Sequence, residues 1–98
     1  MTHDLNDVST ADFREMIVDR EAQMVAIVSL FKGRVSDGDV ESCMSFATHS
    51  EWGLALEEIC TALDEAESIV TAEELSLIKE AGAAMGIDSS YWEDLTVA

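Results

Sequence analysis

Trp52-Gly53-Leu54-Ala55-Leu56-Glu57-Glu58-Ile59-Cys60-Thr61-Ala62-Leu63-Asp64-Glu65 carries the clearest pattern in the chain. Trp52, Ala55, Leu56, Ile59, Cys60 and Leu63 are separated by steps of three and one. Those steps place all six on one side of a helix with 3.6 residues per turn. Glu57, Glu58, Thr61, Asp64 and Glu65 fall on the other side. The stretch therefore predicts an amphipathic helix with an apolar seam and an acidic outer wall. A helix of this kind is stable only when other elements bury the seam, and the flanking sequence supplies them.

Downstream, Thr71-Ala72-Glu73-Glu74 fits a capping box, in which Thr71 and Glu74 each satisfy an exposed amide near the other. It predicts a helix to about Met85, with Leu75, Ile78, Ala81 and Met85 facing inward. Ala81-Gly82-Ala83-Ala84 is small enough for another helix to approach closely. Gly86 is a left-handed cap, with Ile87 as its apolar cover. Upstream, Ser36-Asp37-Gly38-Asp39 is a turn and helix-start signal. The short helix that follows, over about 39–48, turns Val40, Cys43, Met44 and Ala47 inward, and Ser50 is expected to cap the next one.

A long first helix is expected after Thr10, with Phe13, Met16, Ile17, Met24, Ile27, Val28 and Phe31 on one face. Arg20 interrupts that face, its stem along the core edge and its head toward a carboxylate; Glu51 is one candidate partner. Val18, Val25 and Leu30 form a further apolar strip that suits either core or a dimer interface. Lys32 and Arg34 complement the helix dipole at its end, where Gly33 is the stop. Near the other end of the chain, Asp88 or Ser89 can cap a short helical turn. Tyr91 and Trp92 either pack back on the bundle or stand out at a binding surface. The expected fold is all-α, a compact bundle of four main helices plus a short C-terminal helical turn. It forms one domain over 1–98, with 1–9 loosely ordered.

Charge is the dominant compositional signal. Twenty-one Asp and Glu face five Lys and Arg, giving a formal net charge of −16. Such a chain lacks the clustered cations that grip phosphate, so no direct nucleic-acid binding is expected, and none to anionic membranes. It does suit a basic protein partner, steered by long-range attraction, although acid also serves solubility. Met1-Thr2-His3-Asp4 has acid where a secretory signal has Lys or Arg, and Cys43 and Cys60 resemble buried thiols of a reducing compartment. The expectation is a cytoplasmic protein.

Motifs that carry chemistry are missing: no glycine-rich phosphate loop, no G-x-S-x-G, no H-E-x-x-H. His3 and His49 are isolated, which leaves no metal-ligand cluster and no obvious cysteine–histidine nucleophile. Asp37-Gly38-Asp39 resembles the start of a calcium loop but lacks its further ligands and closing glutamate. Neither Ser36 nor Ser89-Ser90 stands where an acyl-carrier domain attaches its prosthetic group. Binding without enzymatic activity, cofactor or metal is the reading.

The run from His49 to Glu65 resembles MafI-type immunity proteins of bacterial polymorphic toxin systems. There a Glu is followed four residues later by Ala-Leu-Glu, as Glu51 is by Ala55-Leu56-Glu57, and then by a leucine-rich helix ending in acid. Thr71 to Gly86, a capped helix closing on Met85-Gly86, is similar to the same family, and the likeness extends over about residues 13–87. It implies a cytoplasmic antidote that binds a cognate toxin domain, often a nuclease and therefore basic. The resemblance does not mark the contact surface. The charge pattern nominates Glu57, Glu58, Asp64, Glu65 and Glu67, then Asp37, Asp39 and Glu41, with Tyr91 and Trp92 as anchors flanked by Glu93 and Asp94. The alternative is a non-catalytic acidic adaptor or regulator. Either can be a monomer or a weak homodimer.

Overall fold

A computed structural model describes residues 19–98. Helix α1 is described over 19–30 and is followed by α2 (Asp37–Thr48), α3 (Trp52–Glu65), strand β1 (Ile69–Val70), α4 (Ala72–Met85), α5 (Ser90–Glu93) and strand β2 (Thr96–Val97). The molecule is a mostly helical globule, as the periodicity predicts. The expected cap at Thr10, the inward placement of Phe13, Met16 and Ile17, Val18 and the segment 1–9 lie outside the described residues.

The seam of α3 is the centre of the core. Ala55, Leu56, Ile59, Cys60 and Leu63 have no exposed surface, and neither do Met24 and Val28 of α1, Phe31 just after it, or Ile78 and Ala81 of α4. Burying each large aliphatic side chain stabilises the fold by about 1.5–3 kcal/mol. Helices α2 and α3 pack closely on each other, with Cys43 and Ala47 buried and Val40 and Met44 packed at the edge. Trp52 is half-buried, and its enclosed indole N–H has no hydrogen-bond partner among the described residues.

The ends follow local chemistry with two corrections. Ser36 caps α2 by accepting from the Asp39 amide at 3.1 Å, so the helix starts at Asp37. Thr71 and Glu74 form the full capping box of α4. Gly86 is left-handed, and the Ile87 amide reaches back to the Gly82 carbonyl at 2.9 Å, as in a Schellman motif. Ser50, however, does not cap α3: it has φ +62° and turns the chain, leaving Glu51 at the N-cap without a side-chain bond. Nor does Glu51 pair with Arg20, whose guanidinium donates to Gln23.

A short parallel ladder was not legible in the sequence. Ile69 and Val70 pair with Thr96 and Val97, and the Ala98 amide donates to the Val70 carbonyl at 2.8 Å. All four strand residues are β-branched, which suits extended backbone, but two residues carry no period to detect. The ladder holds Val70 in the core and draws the segment after α5 back across the molecule.

Arg34 does more than suit a dipole. Its guanidinium donates to the Leu30 carbonyl at the end of α1 at 2.8 Å. It also forms a two-pronged pair with Glu74 of α4, the one ion pair among the described residues. The charge sits 4.8 Å above the centre of the Phe31 ring. Ser68 donates to the Arg34 carbonyl, so α1, β1 and α4 are tied at one point.

The small-residue run on α4 is approached by the short helix α5, whose Trp92 ring fills the space. A Cβ built on Gly82 would lie 2.4 Å from the Trp92 ring. Ala83 and Ala84 remain exposed. Trp92 is 8% exposed, whereas its neighbour Tyr91 is 38% exposed. The pair is thus divided between core and surface.

Candidate functional site

Tyr91 stands exposed among the carboxylates of Glu57, Glu58 and Asp88. Asp88 Oδ1 accepts from the Ser90 amide at 2.8 Å, starting the single turn of α5 that aims Tyr91 outward and Trp92 inward. That turn packs on α3, bringing the phenol to Glu57. The charge of Glu57 first, then loss of water and the charges of Asp88 and Glu58, raise the Tyr91 pKa above its ordinary value. An exposed aromatic within a ring of carboxylates has an apolar body and a polar tip, the combination favoured at protein interfaces.

Two clefts continue the face along the α3–α5 junction. One, of about 130 Å³, runs between Thr61 and Asp64 of α3 and Tyr91 and Asp94. The next, of about 500 Å³, is bordered by Asp64, Glu67, Asp94 and Thr96. Among the described residues, no Lys or Arg borders either cleft. On the opposite flank, Asp39 of α2 and Glu58 of α3 both act on the Cys43 thiol, which places these carboxylates beside the same helix–helix seam. Glu57, Glu58, Asp64, Glu67, Tyr91 and Asp94 thus come together from α3 and the segments after α3 and around α5, while Asp39 stays at the α2–α3 seam.

The remaining nominated residues lie elsewhere. Asp37 and Glu41 border a separate groove along α2 with Lys32 and His49. Glu93 accepts from Ser89 at 2.8 Å and faces a cleft shared with Lys79. Glu65 is exposed at the last residue of α3 but borders neither acidic cleft. Trp92 belongs to the core, where it cannot meet a partner directly. Asp88, absent from the nominated set, joins the face; its place next to a helix cap was the signal, and its nearness to Tyr91 needed the fold.

Glu67 has an unusual backbone. It sits at φ +52° where α3 ends, with its amide on the Asp64 carbonyl and the Ser68 amide on that of Leu63, each at 3.0 Å. Glycine is the usual residue in such a left-handed cap because it has no Cβ to crowd the carbonyl. Glu67→Gly is expected to stabilise the protein by about 1 kcal/mol in urea denaturation, while removing one carboxylate from the face. No gain in stability would mean that the glutamate side chain compensates for its own strain.

The face has little capacity for nucleophilic chemistry. Both cysteines are buried thiols; desolvation foremost raises Cys43 to about 11 and Cys60 to about 12. Neutral thiols are poor nucleophiles. Among the described residues, no group of three or more His, Cys, Asp or Glu is arranged to hold a metal ion, and no helix is long and apolar enough to cross a membrane. Comparison of the chain with family models, curated proteins and solved structures gives no match.

Proposed function

We propose that the chain is an immunity protein that binds and neutralises a basic toxin domain, of the kind found in nucleases, through the face centred on Tyr91. The observation that supports this reading is the convergence of Glu57, Glu58, Asp64, Glu67, Asp94 and the exposed Tyr91, with no Lys or Arg of the described residues bordering the junction clefts. A nuclease must present cations to hold phosphate, and an acidic face complements that surface. Charge at a rim accelerates encounter but adds little affinity, so a partly exposed aromatic at the centre supplies the desolvated contact. The resemblance of His49–Glu65 and Thr71–Gly86 to MafI-type sequences supports the same reading. Protection by occupying or shielding the toxin's phosphate-binding surface requires no chemistry from the antidote.

The test is calorimetric titration of the purified chain into the toxin domain encoded beside its gene, at low and high salt, with toxin activity measured in parallel. Submicromolar binding weakened by salt, with loss of toxin activity, is expected. Glu58→Lys together with Asp64→Lys should slow association at least tenfold. Tyr91→Ala should mainly speed dissociation. Absence of binding by a folded chain to active toxin would dismiss this pairing, and the adaptor reading would then take precedence.

A further inference from the structure

The outer side of α2 presents a groove of about 570 Å³. Val40 and Met44 form its apolar floor, both packed against the core yet still partly open to water. Asp37 and Glu41 stand along it, so the lining follows the three- and four-residue steps of the helix itself. Lys32 and His49 also border it. The His49 ring is committed locally, with Nδ1 2.7 Å from the Ser45 carbonyl. Twelve residues of α2 give the channel a straight run of about 18 Å.

From this we infer that the α2 groove receives an amphipathic, cationic helix of a partner protein. The lining follows one face of α2, with Val40 and Met44 one turn apart as its apolar centre, a spacing that matches side chains along one face of a partner helix. The rim carries two carboxylates against one lysine, on a molecule of net charge −16, so the complementary occupant carries Lys or Arg beside its apolar stripe. A second copy of the chain is a poorer fit, because two such acidic molecules repel at close range. The inference concerns a surface distinct from the Tyr91 face and does not depend on the partner being a toxin.

The probe is a 14-residue Lys/Leu peptide designed as an amphipathic helix, compared with a Lys/Gln peptide of equal length and charge. Methyl chemical shifts of the intact chain report where each binds. The Lys/Leu peptide is expected to bind about tenfold more tightly than its control and to move the Met44 and Val40 methyls. Met44→Gln should remove that advantage, and the exposed Glu41→Lys should weaken binding several-fold without touching the core; circular dichroism confirms that both variants remain helical. Equal binding of the two peptides, or shifts centred on the Tyr91 face, would overturn the inference. So would contacts in the free protein between the Met44 methyl and either a second copy or the chain's own residues 1–18. Failure here leaves the toxin titration unaffected, and a failed titration leaves the peptide result standing.

Discussion

Replacing Trp92 with alanine should cost about 3–5 kcal/mol of stability, the scale for emptying a buried aromatic site. The side chain fills the space that Gly82 leaves on α4 and is the main attachment of the single-turn helix α5. Gly82→Ala tests the same contact from the other side. The new methyl gains about 1 kcal/mol of helix propensity, yet it would lie 2.4 and 2.5 Å from two ring carbons. No carbon pair tolerates that distance, so the ring must leave its place, and a net loss of about 1–2 kcal/mol is expected. The decisive measurement is the double variant Gly82→Ala/Trp92→Leu, followed in urea by circular dichroism. A smaller side chain accommodates the methyl, so the double variant should be more stable than the sum of the single losses predicts. Strict additivity would show that the two residues do not share one site. Because α5 also presents Tyr91, Trp92→Ala should impair partner binding beyond its effect on stability, although Trp92 itself meets no partner.

The Arg34–Glu74 pair should make the second large contribution, and one with a distinctive pH dependence. Its side chains are 35% and 13% exposed, respectively. The bond from Arg34 is the main cause that lowers the Glu74 carboxyl from 4.5 to about 2, reinforced by the Thr71 amide. A carboxyl with a depressed folded-state pKa stabilises the fold above its unfolded pKa, and that contribution is lost as pH falls through the folded value. Solvent reaches the Arg34 end, so screening reduces the contribution to about 1–2 kcal/mol at neutral pH. Glu74→Gln should cost that amount at pH 7 while leaving an oxygen to receive the Thr71 amide. The difference from the unaltered protein should shrink below pH 4.5 and vanish near pH 2. Arg34→Met should cost more, about 2–3 kcal/mol, since it also removes the bond to Leu30 and the contact with Phe31. A pH-independent gap between Glu74→Gln and the parent would show that the charge on Glu74 is not what stabilises the fold.

Both contacts mark where sequence reading stops. The α3 seam, the Thr71 box and the Gly86 cap were legible because each depends on residues within one or two helical turns. Gly82 could be recognised as a site of close approach, and Trp92 as a ring in need of a place; nothing local joined the two. Arg34 and Glu74 each had a sufficient local role, at a helix end and in a capping box, and their pairing across 40 positions is a property of the fold. Likewise, periodicity placed Glu57, Glu58 and Asp64 on one wall. Only the turn of α5 against α3 adds Tyr91, Asp88 and Asp94. Ser50 and Glu67 were obscured for another reason: both occupy left-handed backbone that their residue types do not advertise.

The clasp at Arg34 also governs how the molecule can open. One side chain restrains the last turn of α1 and the first turn of α4, and the neighbouring backbone is pinned through Ser68. These parts share a single restraint, so their amides are expected to behave as one cooperative unit in hydrogen exchange. The α5–β2 arm is fastened differently, by one ring in a notch and a two-residue ladder. It carries Tyr91, so under the proposed function the exposed aromatic of the acidic face depends on the Trp92 contact and not on the Arg34 clasp.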